Sequence, residues 1–258
     1  MKKKKLFTIL TSIVIIGVLV VVYLFFLREK TVAEPRVVSD LCSGKLDGSD
    51  PVIYIKENGK YHGYHVIETS NYGDAVLLMR QYAYPNQMMY RDENMFGVGG
   101  AYYAGSIVDD FLENEFYESF SDGMKSIVRN TPIRIHSIDY VSKRFDEGPV
   151  FDEINRHVFV LSAPEWGCGS LRLDRSEDEA EFIPGLSQYE TEQYNWLRSE
   201  AIGGDDTWAI VSYKDTGTYK HICSEAYVRP VFTVSPDEEI EFRELWQPVK
   251  KYAFVKDK

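Results

Sequence analysis

The feature that most constrains this chain is an uncharged apolar run, Leu6–Leu27, which directly follows the four lysines Lys2–Lys5. A helix rises about 1.5 Å per residue, so a run of this length covers roughly the 30 Å hydrocarbon core of a bilayer. The sequence therefore predicts a transmembrane helix at Leu6–Leu27, with the lipid bilayer as its partner. A cleaved signal peptide is the alternative, but its apolar part normally spans about 7–15 residues, which is shorter than this run.

The lysines before the run predict how the chain is oriented. Lys and Arg concentrate on the cytoplasmic side of membrane helices, so we expect a cytoplasmic N-terminus and an extracytoplasmic C-terminal part. The predicted localisation is that of a single-pass protein of the cell membrane. The predicted organisation is a basic tip and anchor at 1–30, a stalk at 31–50, an extracytoplasmic domain at 51–240 and a C-terminal tail at 241–258.

Charge is distributed unevenly along the chain, and this excludes one class of partner. Residues 31–258 carry 23 Lys and Arg against 39 Asp and Glu, which is a net charge of −16. A surface this acidic is repelled by the phosphates of nucleic acids. No nucleic acid partner is therefore expected.

Three cysteines, Cys42, Cys168 and Cys223, are too few for a fold built on disulfides. If a disulfide forms, Cys168–Cys223 is the predicted pair, because both lie inside the predicted domain whereas Cys42 lies in the stalk. No spacing of cysteine and histidine matches a zinc ligand set, and His62 and His65 would point to opposite faces of a strand. Neither a metal site nor a cofactor is predicted.

Local patterns predict an α+β domain after the stalk. Asn58-Gly59 is the strongest short signal for a hairpin turn, and it follows an aromatic and β-branched run at Val52–Ile55. Ser106 is a predicted helix N-cap with Asp109 at the third helical position, which is the pattern of a capping box. The two predicted helices are Ile107–Phe120 and 122–130.

Candidate functional side chains are mostly aromatic. No catalytic group stands out from the chance pairs that 40 acidic residues create, so the sequence favours a protein that is not an enzyme. The acidic residues at 174–181 lack the regular spacing of the common calcium loop. Exposed tyrosines, in contrast, supply flat contact area at a low entropy cost. The predicted ligand-binding residues cluster around an irregular segment: Tyr82, Tyr84, Tyr90, Tyr102 and Tyr103.

Four stretches occur in an order that is similar to one protein family. They are residues 102–130, 159–165 (FVLSAPE), 196–199 (WLRS) and 227–232 (YVRPVF). The set resembles a domain of unknown function that occurs in exported and surface proteins of Gram-positive bacteria. The resemblance implies a lectin-like fold, in which a curled antiparallel sheet carries two flanking helices.

The resemblance carries over no catalytic residues, because the family has no agreed activity. The residues predicted to be structural are Ser106, Trp196, Arg198 and Arg229. Each arginine follows an apolar strand segment, and we expect each to pair with a carboxylate beside the core. The predicted function is noncatalytic binding of a glycan or a protein at the cell surface. The alternatives are a cell-envelope hydrolase with unidentified carboxylates, and a scaffold or regulatory partner of another membrane protein.

Overall fold

Short strands make up most of the regular structure. The computed structural model describes residues 35–42, 51–92, 100–138, 150–168, 180–189, 192–200, 208–213, 216–246 and 249–257. Of the described residues, 43% lie in strands and 17% in helices. The strands are β1 (Val52–Glu57), β2 (Lys60–Ile67), β3 (Val76–Arg80), β4 (Met88–Met89), β5 (Thr131–His136), β6 (Phe151–Arg156), β7 (Asn195–Glu200), β8 (Trp208–Tyr213), β9 (Thr216–His221), β10 (Glu225–Ala226), β11 (Val231–Val234), β12 (Ile240–Trp246) and β13 (Val249–Phe254).

The β1–β2 hairpin turns at the predicted dipeptide. Asn58 and Gly59 both have positive φ, at 47° and 79°, which is what the tight turn of a two-residue hairpin requires. The turn sets the register, in which Glu57 pairs with Lys60 and Ile53 with Tyr64. This prediction from the sequence is confirmed.

The largest sheet has six strands in the order β11-β3-β2-β1-β13-β12. The pairing of β1 with β13 is parallel, whereas the other four pairings are antiparallel. Residues 241–258, predicted as a tail, thus supply nearly all of two strands of this sheet. Part of the predicted stalk also packs on the domain, since Val38 and Leu41 are buried and Val37 forms an isolated bridge with Glu239.

Three smaller sheets surround the large one within the described residues. They are the antiparallel pair β5–β6, the pair β10–β4 and the three-stranded sheet β7-β8-β9. An isolated bridge between Phe159 and Val231 links the chain after β6 to β11 of the large sheet. The Trp196 N–H donates to the Tyr227 carbonyl at 2.9 Å, and the Arg198 N–H donates to the Leu161 carbonyl at 3.0 Å. These two hydrogen bonds attach β7 to the segment before β11 and to the segment that follows Phe159.

The helices are short, each α-helix being a single turn. They are α1 (Ser39–Cys42), α2 (Ile107–Asp110), α3 (Asp122–Lys125) and α4 (Ala163–Trp166). Helix α2 continues as a π-helix over Phe111–Phe116 and a 3-10 turn over Tyr117–Ser119, so the predicted helix Ile107–Phe120 is present with changing geometry. The Ser106 hydroxyl accepts a hydrogen bond from the Asp109 N–H, as predicted. The Asp109 carboxylate, however, accepts from the Gly105 N–H at 2.8 Å instead of closing a capping box.

The predicted fold class is wrong. We expected an α+β domain in which one curled antiparallel sheet carries two helices, but the described residues are mainly β and form several sheets. The second helix ends at Lys125 instead of reaching 130, because Val128 forms a bridge with Val234 and so leaves the helical path. Polar-apolar alternation at residues 240–243 of β12 was a strand pattern that the prediction overlooked, whereas β6 (FDEINR) shows no such alternation.

The predicted membrane localisation also requires correction. In the described part of the chain, no helix is long and apolar enough to cross a bilayer. This finding contradicts the predicted single-pass protein. The segment Leu6–Leu27, on which that prediction rested, lies outside the described residues.

Candidate functional site

An open, polar cleft of about 420 Å³ lies where the chain around β5, β7 and α4 meets the turn before β3. We call it the polar cleft. Its polar lining comes from Ser70, Asn71, Tyr72, Arg134, Glu165, Glu181 and Arg198, and Pro132, Ile133 and Ala180 complete the walls.

Each wall is positioned by a different kind of local structure. The tight turn after β2 carries Asn71 and Tyr72, and it closes with the Gly73 N–H donating to the Ser70 carbonyl at 3.3 Å. Alternation along β5 leaves Arg134 exposed between buried neighbours. Helix α4 begins with a complete capping box that holds Glu165 at its third position.

Glu165 lies under the floor of the cleft and is fully buried. Its Oε2 accepts from the Ser162 N–H at 2.7 Å, from the Ser162 hydroxyl at 3.0 Å and from Arg198 Nη1 at 2.7 Å. Its Oε1 accepts from Asn71 Nδ2 at 3.3 Å and from the Tyr72 hydroxyl. A carboxylate offers about four lone-pair sites, so these donors occupy all of its hydrogen-bonding capacity.

Arg198 holds the other half of this buried ion pair. Its Nη1 also donates to the Val160 carbonyl at 2.9 Å, and its Nε donates to the Arg134 carbonyl at 3.1 Å. Both charged side chains are almost fully buried, at 1% and 0% exposure. Such a pair is stable only when hydrogen bonds satisfy its remaining polar atoms, and here they do.

Tyr72 is a hydrogen-bond donor under this cleft and not an acid. Burial, and then the Glu165 carboxylate, raise its pKa well above the usual range. The phenol therefore keeps its proton at ordinary pH and donates a hydrogen bond to Glu165. The Glu165–Arg198–Tyr72 group forms a rigid floor and offers no base to a substrate.

Ala180 and Glu181 form one wall of the cleft, on the short segment 180–183 that Asn71 holds in place. Asn71 Nδ2 donates to the Glu181 carbonyl at 2.8 Å, and the Glu181 N–H donates to Asn71 Oδ1 at 3.1 Å. The Ser70 hydroxyl donates to Glu181 Oε2 at 3.1 Å, and the Ile183 N–H donates to the Glu165 carbonyl at 3.1 Å. The other Glu181 carboxylate oxygen accepts no hydrogen bond from a described residue.

Comparison with known proteins now gives the family. Residues 73–236 match a family described as a domain of unknown function (DUF6273). The chain belongs to this family. No curated protein and no solved structure matches it.

The DUF6273 segment contains the four stretches from which a domain of unknown function was predicted, so that part of the prediction is confirmed. It also contains most of the polar cleft, but three lining residues, Ser70, Asn71 and Tyr72, lie just before it. The six-stranded sheet likewise takes β1, β2, β12 and β13 from outside the DUF6273 segment. The family match therefore covers less than the folded unit.

The tyrosines predicted to bind ligand do not lie on one surface. Tyr90 and Tyr103 are buried, at 0% and 1% exposure, whereas Tyr82 is 70% exposed. Tyr84 packs against the π-helix at Phe111 and Phe116. The Tyr102 hydroxyl donates to Asp152 at 3.0 Å, and burial raises its pKa to about 12. Ligand binding by these five residues stays a prediction, for which only Tyr82 is fully accessible.

The residues predicted to be structural are all buried. Arg198 pairs with Glu165, as described above. Arg229 donates to the carbonyls of Arg80, Tyr189 and Gln81 at 2.6–2.8 Å. The Trp196 ring donates through Nε1 to the Met88 carbonyl at 2.8 Å.

The cysteines differ in exposure, since Cys168 is buried and Cys223 is half-buried. The disulfide between them stays a prediction. His65 stacks on Tyr189 at 3.9 Å, and burial lowers its pKa to about 4. Among the described residues, no group of three potential ligands is arranged for a metal ion. Most of the acidic stretch at 174–181 lies outside the described residues.

Sequence reasoning missed the three residues that shape the cleft: Asn71, Tyr72 and Glu165. A signal for Glu165 was present, because Ser162-Ala163-Pro164-Glu165 combines a serine N-cap, an early proline and a glutamate at the third position. No local signal exists for Asn71 and Tyr72. Their partner Glu165 is more than 90 positions away along the chain.

Proposed function

We propose that this DUF6273 protein is a noncatalytic binding protein that takes a hydroxyl-rich ligand, a short glycan segment, in the polar cleft. The observation that carries the proposal is the saturation of Glu165 by five donors. The deepest acid of the cleft therefore has no lone pair with which to accept a proton from a substrate or a water molecule. General acid–base catalysis requires such a group within hydrogen-bond reach.

The size and chemistry of the cleft support a small polar ligand. Its volume of about 420 Å³ lies within the range of roughly 300–1,000 Å³ that is usual for small-molecule sites. The accessible polar groups have both signs, with the exposed Arg134 on one wall and Glu181 on another. A sugar hydroxyl both donates and accepts hydrogen bonds, so it fits such a mixed lining better than an apolar ligand does.

Binding of purified protein to an immobilised glycan panel, with product analysis of the same incubations, tests the proposal. We expect saturable binding to at least one glycan and no release of products. Arg134→Gln should weaken this binding several-fold, because the lost group lies on the cleft wall. Arg129→Gln is the matched control, since Arg129 is also exposed but pairs with Asp74 away from the lining.

Released products would contradict the proposal in favour of a hydrolase. Absence of glycan binding would also contradict it and would favour a protein partner. Equal losses in Arg134→Gln and Arg129→Gln would show that the ligand binds outside the polar cleft.

A further inference from the structure

A second surface with different chemistry lies on the outer face of the β13-β1-β2 part of the large sheet. Alternation along β1 buries Ile53 and Ile55 and leaves Tyr54 and Lys56 half-exposed on the opposite face. Tyr61 of β2 pairs with Lys56 on this same face. Lys251 of β13 reaches it from the other side.

Two lysine–tyrosine contacts repeat along this face. Lys56 Nζ lies 5.3 Å from the ring centroid of Tyr61, and Lys251 Nζ lies 5.7 Å from the ring centroid of Tyr54. Tyr54 and Lys56 are two residues apart on one strand, so the repeat is about 7 Å long. A cation that lies over an aromatic ring is attracted by the ring, which keeps both ammonium groups close to the sheet.

Positive charge on this face is not neutralised by the described residues. Neither Lys56 nor Lys251 forms an ion pair with a described carboxylate, whereas the neighbouring Arg243 is paired with Glu241 at 2.5 Å. Residues 31–258 have a net charge of −16, so two such lysines are a local departure from the rest of the domain. Charges beyond about 8 Å are largely screened at physiological salt. Within that distance the two lysines act against the buried Asp257 carboxylate, which accepts a hydrogen bond from the Lys56 N–H at 2.8 Å.

The Gln81 side chain covers part of this face and leads to its most exposed residue. Gly63 pairs with Tyr54 across the hairpin, and a Cβ atom there would meet Gln81 Oε1 at 2.4 Å. The absence of a side chain lets the Gln81 amide lie over the strand. Next to Gln81, Tyr82 is 70% exposed and lies close enough to Tyr54 to contribute, after burial, to the rise of the Tyr54 pKa.

We propose that this tyrosine–lysine face (Tyr54, Lys56, Tyr61, Tyr82 and Lys251) binds an acidic polysaccharide. Carboxylate groups spaced along the polymer pair with the two lysines, while a sugar ring packs on the exposed ring of Tyr82. Charge complementarity supports this ligand over a neutral glycan, and Tyr82 provides a flat ring surface for a sugar. The surface does not share its residues with the polar cleft. A failure of the proposed glycan binding in the cleft would therefore not affect this proposal.

Binding of the full chain to polygalacturonate tests this proposal, with neutral dextran and double-stranded DNA as competing polymers. We expect binding to polygalacturonate at low salt that weakens as salt rises, and no binding to dextran. The double variant Lys56→Gln/Lys251→Gln should weaken binding by about tenfold, and Tyr82→Ala should weaken it less. Lys125→Gln/Lys256→Gln removes two lysines that are already paired with Glu118 and Glu238, and it should bind like the unchanged protein.

Several results would overturn the inference. They are no binding to polygalacturonate, equal or tighter binding to dextran or DNA, and equal affinity of the two double variants. Arg134→Gln should leave polygalacturonate binding unchanged. A loss in Arg134→Gln together with no loss in Lys56→Gln/Lys251→Gln would assign the acidic polymer to the polar cleft instead.

Discussion

Two buried groups of this protein have nearly the same composition but different surroundings. In the Glu165 group, Arg198 pairs with Glu165 and Tyr72 donates to the same carboxylate. In the Glu57 group, Arg80 pairs with Glu57 at 2.9 Å and the Tyr64 hydroxyl donates to it at 2.5 Å. Each group places one arginine, one glutamate and one tyrosine in the core.

The two groups differ in how completely the carboxylate is enclosed. Glu165 receives three further donors, including two from Ser162 in its own helix cap. From the described residues Glu57 receives no donor beyond Arg80 and Tyr64, and His62, whose side chain is 36% exposed, lies 3.7 Å away. The remaining donors of Arg80 bind elsewhere. They donate to two backbone carbonyls after β3, and Nη2 contacts His62 Nδ1 at 2.9 Å.

The comparison shows two ways of keeping a charge inside a protein. A local cap can saturate a carboxylate and turn it into a rigid floor, as at Glu165. Cross-strand register can instead bring the partners together, because Tyr64 and Arg80 are directly paired across β2 and β3. The second arrangement leaves the carboxylate nearer to a group that can gain a proton.

Removing the arginines should give the largest difference between the groups. Arg198→Met leaves Glu165 charged and buried, so it should reduce the free energy of unfolding by about 3–5 kcal/mol. Arg80→Met should cost less, because water and a protonated His62 can replace part of the lost charge at Glu57. Urea unfolding of both variants measures this.

A double change provides the control for that experiment. Arg198→Met/Glu165→Met removes both charges and should recover part of the stability lost in Arg198→Met. A cost of Arg80→Met equal to or above that of Arg198→Met would mean that Glu57 is no better solvated than Glu165.

The second largest effect should be a loss of stability when the pH is lowered. Burial lowers the pKa of His136, on β5, to about 4, whereas an unfolded histidine has a value near 6.5. The unfolded chain therefore takes up a proton first as the pH falls, and stability should decline between about pH 6.5 and pH 4 by up to about 3 kcal/mol.

Histidine variants assign this decline to a region. His136→Gln should remove part of the fall in stability measured by unfolding at a series of pH values, and His65, whose pKa is also lowered to about 4 by burial, should account for a further part. His62→Gln should alter it less, because burial lowers the pKa of the part-exposed His62 while the adjacent Glu57 opposes that shift. An unchanged slope in His136→Gln would show that another group causes the decline.

The smallest expected differences concern the serine caps. Ser106→Ala should cost about 1 kcal/mol, the usual value for a lost N-cap. Ser162→Ala should cost more, because its hydroxyl also donates to the buried Glu165 at 3.0 Å. Ser121→Ala tests a cap near the Glu57 group, where the hydroxyl donates to Asp257 at 2.8 Å. Thermal unfolding compares the three, and equal costs would mean that the Glu165 group does not depend on its cap.

Several local elements were predictable from the sequence. The Asn58-Gly59 turn and the start of the helix at Ile107 were predicted correctly at these positions. Each depends on neighbours in the chain. Helix length was not predictable in this way, because the bridge between Val128 and Val234 decides where the second helix ends.

The candidate sites were largely hidden from the sequence. The predicted tyrosines shared a segment of chain, but folding placed Tyr90 and Tyr103 in the core and Tyr82 on the surface. Of these predicted ligand residues, only Tyr82 belongs to a proposed binding face. The other members of that face come from the β1–β2 hairpin and from β13, which is far from the hairpin in sequence.

The sequence by itself determined turns, caps and the family, because these depend on residue types at fixed short spacings. The tertiary structure alone decided the order of the six strands, the parallel pairing of β1 with β13 and the meeting of Tyr72 with Glu165. These contacts join residues separated by about 90 to 200 positions. Pairing at such distances is selected by the burial of the whole apolar surface at once, and no local stretch of the chain encodes it.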